Sequence, residues 1–291
     1  MALLTSEFMA KLDGLQVAMR KVLAGRFRGE RRSRRKGRSV EFADHREYAF
    51  GDDIRFLDWH LLARLDRFFL KLFHDEEELR LHVLVDTSRS MGFGEPQKID
   101  HARRVAAALA YVALSSMNRV KIVALGEPRP RELKWQRGVQ SIGRIFTFLE
   151  ETEASGKNVL GPGIRRWVSE TRPSGVVILI SDLLDRGGPV PALRPLVRNV
   201  LDAHLIQILS AEEKDPDLVG DYRLIDSEER DGVDVTGSAA LMAAYRRNLT
   251  AYLAEIEAYS RRRGLGHFLT TTDTPFEDLV LQHLRERGVI R

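Results

Sequence analysis

The stretch LHVLVDTSRSM at residues 81–91 decides how this chain folds. Its first five residues are nearly all branched and apolar, which predicts a buried β-strand. Asp86, Ser88 and Ser90 follow, where the backbone turns away from the strand. Carboxylate and hydroxyl oxygens are hard ligands of the kind that Mg²⁺ and Mn²⁺ prefer. The sequence therefore predicts a metal site at the end of a central strand.

The chain beyond Leu79 alternates strand-like and helix-like segments. Strands are predicted at 80–85, 119–125, 131–135, 176–181, 204–209 and 267–271, and helices at 98–117, 141–151, 163–171, 241–263 and 277–287. Such alternation is typical of a three-layer, doubly wound α/β fold with a mostly parallel sheet. The turn-forming residues 126–130 indicate a hairpin, so we predict one antiparallel edge strand.

Asp182 stands directly after the apolar run 176–181, as Asp86 does after its own strand. Ligands of doubly wound sheets bind outside the carboxyl ends of strands, where neighbouring connections diverge. A glycine-rich loop at 157–163 is a third contributor, so three loops can converge on one ion. The alternative is that Asp86 caps the next segment and the serines satisfy loop backbone groups.

The expected function is binding, without catalysis. One carboxylate cannot neutralise a divalent ion, so the bound metal keeps an open position for a carboxylate of another protein. The chain contains no G-x-S-x-G elbow, phosphate-binding P-loop or H-E-x-x-H motif. Ser88 occupies the position where an aspartate-based phosphatase needs its second acid. We therefore predict that the protein is not an enzyme.

The composition excludes several kinds of site and bears on the localisation of the protein. The 291 residues include no cysteine, which excludes disulfides, cysteine-zinc sites and thiol catalysis. The net charge of +4 is too small to decide a partner class. The longest apolar stretch, 105–114, is about half a membrane span, and residues 1–22 lack a cleavable-signal pattern. A cytoplasmic protein is the expectation.

Residues 1–38 are predicted to form an amphipathic helix followed by a basic arm. The arm carries eight basic residues: Arg26, Arg28, Arg31, Arg32, Arg34, Arg35, Lys36 and Arg38. These charges can neutralise phosphates or attract anionic lipid. The alternative function is therefore binding of a nucleic acid or of an anionic membrane surface through this arm.

Residues 39–79 are dense in charged and aromatic residues, which predicts a folded segment docked on the main domain at 80–291. One interpretation is that the segment covers the surface of that domain and is held there by salt bridges. The other is a recognition surface for a partner. Trp59 and Arg64 are its expected anchors, because aromatic and Arg side chains dominate interface energetics.

Two groups of residues carry a family resemblance. The Asp86-x-Ser88-x-Ser90 motif, with Ile180-Ser181-Asp182, resembles the metal-ion-dependent adhesion site of von Willebrand factor A domains. The preceding segment resembles the prokaryotic family catalogued as domain of unknown function number 58. The motifs of that segment are Glu41-Phe42, Arg46-x-Tyr48-x-x-Gly51-Asp52-Asp53-x-Arg55-x-x-Asp58-Trp59, Ala63-Arg64 and Leu70-x-x-Phe73.

The resemblance implies a von Willebrand factor A-like fold and a ligand set. Ser88 and Ser90 are expected to bind Mg²⁺, Mn²⁺ or Ca²⁺ directly, and Asp86 and Asp182 through water. Asn158 aligns where the family usually has threonine, and its amide oxygen can also ligate a hard cation. Proteins of this family are typically paired with MoxR-type AAA+ ATPases. The resemblance thus implies an adaptor or partner in a chaperone-like assembly.

Overall fold

A computed structural model describes residues 3–13, 15, 42–73, 79–126, 129–155, 160–185, 187–200, 202–216, 220–225, 232–283 and 290. Asn158 and the basic arm lie outside these residues. The chain divides into two compact units. One joins Met1–Arg20 with Leu79–Arg291, and the other is Lys21–Glu78.

The described strands and helices are numbered in chain order. The strands are β1 (Phe42–Glu47), β2 (Phe69–Phe73), β3 (Arg80–Asp86), β4 (Arg119–Leu125), β5 (Arg131–Arg137), β6 (Val176–Ser181), β7 (Asp202–Leu209), β8 (Gly220–Ile225), β9 (Gly232–Gly237) and β10 (Gly266–Thr271). The α-helices are α1 (Ser6–Leu12), α2 (Trp59–Leu65), α3 (Lys98–Ser115), α4 (Ile142–Glu150), α5 (Leu160–Thr171), α6 (Pro189–Asn199), α7 (Ala211–Lys214), α8 (Ala239–Arg263) and α9 (Phe276–Asp278). Short 3-10 helices cover Ile54–Phe56, Arg89–Gly92 and Val139–Ser141, and a π-helical turn covers Leu279–His283.

The larger unit is built on a six-stranded sheet in the order β10-β7-β6-β3-β4-β5. Every neighbouring pair is parallel except β4 and β5, which are antiparallel. The prediction of a mostly parallel sheet with one antiparallel edge strand is therefore confirmed. Strands β3, β6 and β7 lie inside the sheet, so their carboxyl ends share one edge.

Side chains of the sheet alternate between two apolar cores, one on each face. Leu81, Val83 and Val85 of β3 pack with α1, α3 and α4. Leu84 of the same strand packs on the opposite face with α5, α6 and α8. Because successive strand residues point to opposite faces, a strand covered on both sides is apolar throughout. The three-layer α/β fold predicted from the sequence is confirmed.

Helix α3 crosses one face of the sheet and is buried nearly all round. Residues 105–114, which include five alanines, are all buried. Alanine leaves the backbone close to its neighbours and has the highest helix propensity. The helix begins at Lys98, at the edge of the sheet where the predicted metal site lies.

Four segments differ from the sequence-based expectation. Helix α1 ends at Leu12, earlier than predicted, because Asp13 adopts an extended conformation. Helix α6 and the exposed hairpin of β8 and β9 were not predicted. The expected C-terminal helix is a single helical turn that passes into the π-helical turn Leu279–His283, and residues 284–289 lie outside the described residues. None of the described helices is long and apolar enough to span a bilayer.

The smaller unit contains a two-stranded antiparallel sheet of β1 and β2. Asp58 caps helix α2, since its carboxylate accepts hydrogen bonds from the backbone N–H groups of His60 and Leu61. A hydrogen bond from His45 at 2.8 Å is the main cause that lowers the pKa of Asp58 to about 2. Other charges pair within the segment, with Arg46 bound to Asp52 and Arg55 to Asp53.

His82 makes the stability of the larger unit sensitive to acid. Its ring is buried in β3 between Trp135 and Trp167, with ring centroids 4.8 and 5.3 Å away. Burial lowers the pKa of His82 to about 4. The unfolded chain binds this proton near pH 6.5. Unfolding therefore takes up a proton between these two pH values, and the free energy of unfolding falls as the pH drops through that window.

In the wild type, protonation of His82 on unfolding should lower the free energy of unfolding by about 2 kcal/mol between about pH 7 and about pH 4.5. We expect His82→Phe to abolish this part of the loss. The variant keeps the acid sensitivity that comes from His101, because burial also lowers the pKa of His101 to about 4. Denaturant unfolding at several pH values measures the effect. His60→Phe, at an exposed position, is the control. Parallel curves for His82→Phe and the wild type would contradict the prediction.

Candidate metal centre

Two parallel strands bring the predicted acidic residues together. Strands β3 and β6 are hydrogen-bonded neighbours, and Val85 pairs with Ile180. The residues that follow, Asp86 and Ser181, therefore end their strands side by side. The Ser181 hydroxyl donates a hydrogen bond of 2.6 Å to Asp86 Oδ2. This hydrogen bond joins the two strand ends from which the first and third predicted metal-binding loops begin.

Asp86 is buried and fixed by hydrogen bonds on both carboxylate oxygens. Its Oδ1 accepts the backbone N–H of Ser88 at 2.9 Å, and its Oδ2 accepts the Ser181 hydroxyl. Burial, reinforced by the negative charge of Asp182, raises the pKa of Asp86 to about 6. A cation bound nearby favours the ionised carboxylate and acts against this repulsion.

The hydroxyls of Ser88 and Ser90 lie next to each other. Their Oγ atoms are 3.0 Å apart and share a hydrogen bond. Two neighbouring ligands of an octahedral Mg²⁺, each about 2.1 Å from the metal, are also about 3 Å apart. Ser88 stands at the N-cap of the 3-10 helix Arg89–Gly92, yet its side chain makes no capping hydrogen bond. The spacing and the donor type therefore fit Mg²⁺ or Mn²⁺.

Asp182 is held by a buried lysine. Lys98 Nζ, at the first residue of α3, donates 2.7 Å to Asp182 Oδ2 and 2.5 Å to Glu213 Oε1. Asp182 Oδ1 accepts the backbone N–H of Leu184. Burial alone would lower the pKa of Lys98, but the charges of Asp182 and Glu213 outweigh it and raise that pKa above its usual value. The lysine is therefore a fixed positive charge.

The described residues bring together four of the five predicted ligands. Asp86 ends β3, Ser88 and Ser90 lie on the loop that follows it, and Asp182 follows β6, whereas Asn158 falls outside the described residues. In the described part of the chain, no three His, Asp or Glu side chains are arranged to hold a metal. The candidate site therefore includes serine hydroxyls as well as carboxylates.

The remaining candidate residues lie elsewhere in the chain. Trp59 is the first residue of α2 and 63% exposed, and Arg64, in the last turn of that helix, is also exposed. Both side chains are thus accessible in the smaller unit, and their role as partner anchors stays a prediction. The basic arm at 26–38 lies outside the described residues.

Three residues that contact the predicted ligands, directly or through another of the three, were not predicted to have a role in the site: Ser181, Lys98 and Glu213. Lys98 is 84 residues from Asp182 and 115 residues from Glu213. No local motif links positions so far apart. Ser181 did carry a signal, because it is a polar residue that ends an otherwise apolar run immediately before Asp182.

Comparisons with known proteins give a family and partial structural similarity. The family model described as "Protein of unknown function DUF58" matches residues 44–255. The proteins "Uncharacterized protein Rv1480" of Mycobacterium tuberculosis and "Uncharacterized protein Mb1516" of Mycobacterium bovis are each 26% identical to this chain. Each alignment covers 97% of this chain and 90% of the relative.

Two solved structures show similarity at low identity. The conserved hypothetical protein BatB from Bacteroides thetaiotaomicron is 11% identical, with a TM-score of 0.42 over 72% of this chain and 98% of that chain. The VWA domain of SpRpn10 is 13% identical, with a TM-score of 0.39 over 70% of this chain and 94% of that chain.

Proposed function

This chain belongs to the DUF58 family, and from that premise we propose that it is a non-enzymatic, metal-dependent module for binding another protein. The observation that carries the proposal is the pair of serine hydroxyls 3.0 Å apart beside the fixed carboxylate of Asp86. Neutral hydroxyl ligands leave positive charge on a divalent cation. A carboxylate from a partner is the ligand that would complete its coordination.

The described groups at the site favour binding over catalysis. Both oxygens of Asp86 accept hydrogen bonds within the protein, and Asp182 is paired with an ammonium. A general base must reach a proton of the substrate, and both carboxylates are buried. These carboxylates instead shape a cation site. Mg²⁺ is the proposed ion, with Mn²⁺ or Ca²⁺ as substitutes.

The proposed partner is a MoxR-type AAA+ ATPase, or a client of that ATPase, in a chaperone-like assembly in the cytoplasm. The family resemblance suggests this partner, and the metal geometry suggests that an Asp or Glu of the partner makes the central contact. Trp59 and Arg64 are proposed as further anchors, because both are exposed and both are residue types that dominate interface energetics.

Removal of the divalent cation tests this function. We expect EDTA to lower the affinity of the purified protein for the MoxR-type ATPase of the same organism by at least about tenfold, because the loss leaves the partner's carboxylate without its counter-charge. Biolayer interferometry with the ATPase immobilised measures the affinity. Addition of Mg²⁺ in excess over EDTA should restore it.

The same assay separates metal-mediated binding from binding through the basic arm. Contacts between the arm and phosphate or anionic lipid would weaken steeply with salt and would ignore EDTA. A variant with Arg31, Arg32, Arg34 and Arg35 changed to Gln therefore serves as the control, and it should still bind the ATPase in Mg²⁺. Binding that survives EDTA but is lost in this variant would refute the metal-dependent function.

A further inference from the structure

A single buried ammonium group links two of the loops at the edge of the sheet. Lys98 Nζ lies 2.7 Å from Asp182, which follows β6, and 2.5 Å from Glu213, in the short helix after β7. The side chains of Lys98 and Asp182 are fully buried, and that of Glu213 is 15% exposed. The contacts are thus shielded from solvent, where electrostatic interactions are strongest.

The position of Lys98 is not explained by the stability of its helix. It is the first residue of α3, where the helix dipole is positive and a cation is unfavourable. A buried ion pair is also only weak evidence for added stability, because desolvation offsets much of its attraction. Lys98 does supply a positive charge beside the loops of the proposed metal site.

Glu213 is itself held in place. It forms a capping box with Ser210, in which the Ser210 hydroxyl accepts the Glu213 N–H and Glu213 Oε2 accepts the Ser210 N–H at 2.9 Å. The other carboxylate oxygen is left for Lys98. The segment that follows β7 therefore holds the Glu213 side chain in one orientation toward the Lys98 ammonium.

The groups of this cluster carry more negative than positive formal charge. The three carboxylates of Asp86, Asp182 and Glu213 and the one ammonium of Lys98 have a formal net charge of −2. This negative charge attracts a divalent cation. Without the lysine the cluster would carry three negative formal charges, and without Glu213 it would carry one.

We propose that Lys98 and Glu213 are positioning residues that set the net charge of the metal site and fix the orientation of Asp182. This inference rests on the proposed metal-dependent function. The ammonium occupies one side of the Asp182 carboxylate and cancels one negative charge. The two residues together therefore tune how tightly the cation is held, although neither is a ligand.

Three variants of the full-length protein, titrated with Mn²⁺ alone, test the proposal. Lys98→Met removes one formal positive charge and should bind Mn²⁺ about tenfold more tightly, whereas Glu213→Gln removes one formal negative charge and should bind it about tenfold more weakly. The double variant Lys98→Met/Glu213→Gln restores the formal charge of −2 and should bind within about threefold of the wild type. Isothermal titration calorimetry and Mn²⁺ electron paramagnetic resonance give the affinities.

Opposite shifts in the two single variants distinguish charge setting from a structural role. If the ion pair only held the loops together, both variants would bind Mn²⁺ more weakly and the double variant would not recover. That result would overturn this inference and leave the proposed function standing. Failure of the wild type to bind Mn²⁺ would overturn both. Should Lys98→Met not fold, an unchanged affinity in Glu213→Gln alone overturns the inference.

Discussion

Replacing both Ser88 and Ser90 with alanine is expected to lower the affinity for Mg²⁺ and Mn²⁺ by at least about 100-fold. Both direct ligands of the proposed site are lost at once. The fold should persist, because the Ser88 side chain does not cap its 3-10 helix and the bond from its backbone N–H to Asp86 remains possible with alanine. Isothermal titration calorimetry with Mn²⁺ measures the affinity, and thermal unfolding in EDTA checks the fold.

A second pair of serines provides the matched control. The hydroxyls of Ser115 and Ser169 donate to the helix carbonyls of Val112 and Arg166, away from the loops after β3 and β6. The double alanine variant at these positions should bind Mn²⁺ as the wild type does. If Ser88→Ala/Ser90→Ala also bound Mn²⁺ normally while remaining folded, the serine hydroxyls would not be the ligands.

The sheet could be predicted because its strands are buried on both faces. Strand β6, for example, is apolar from Val176 to Ile180 and buried throughout, so its sequence contains a continuous apolar run. Such a run cannot be satisfied by a surface helix or a half-exposed strand. Turn residues between β4 and β5 likewise indicated the antiparallel edge.

Helix α6 and strands β8 and β9 were not predicted from the sequence. Helix α6 contains three prolines, which argue against a helix, yet Pro189 lies at its start, where a missing N–H costs nothing. Strands β8 and β9 carry charged residues such as Asp221 and Asp234 and are largely exposed. Apolar and polar residues do alternate in both strands, with Tyr222 and Leu224 of β8 paired with Val235 and Val233 of β9, so this pair of strands carried a sequence signal that was not used.

The residues of the site also differ in whether the local sequence could predict them. The spacing of Asp86, Ser88 and Ser90 is a property of one loop, so the sequence alone indicated it. Lys98 meets Asp182 only because α3 begins at the edge of the sheet where β6 ends. That meeting depends on the tertiary fold and leaves no mark in a local motif.

Replacing Ser181 with alanine is the second change expected to have a large effect. The Ser181 hydroxyl is fully buried, donates to Asp86 Oδ2 at 2.6 Å and accepts the Leu183 N–H at 2.9 Å. Alanine leaves both partners without this hydroxyl and frees the Asp86 carboxylate to rotate. We expect the affinity for Mn²⁺ to fall about 10- to 100-fold, as for other groups that orient metal ligands.

The same change should also lower the free energy of unfolding by about 1–3 kcal/mol, the usual cost of unsatisfied buried polar groups. Ser181→Thr keeps the hydroxyl and should recover most of the Mn²⁺ affinity, even if its extra methyl group costs stability. Ser260→Ala, which also removes a buried serine hydroxyl, is the control and should leave Mn²⁺ binding unchanged. Loss of stability without loss of Mn²⁺ affinity in Ser181→Ala would show that this hydroxyl supports the sheet and not the metal site.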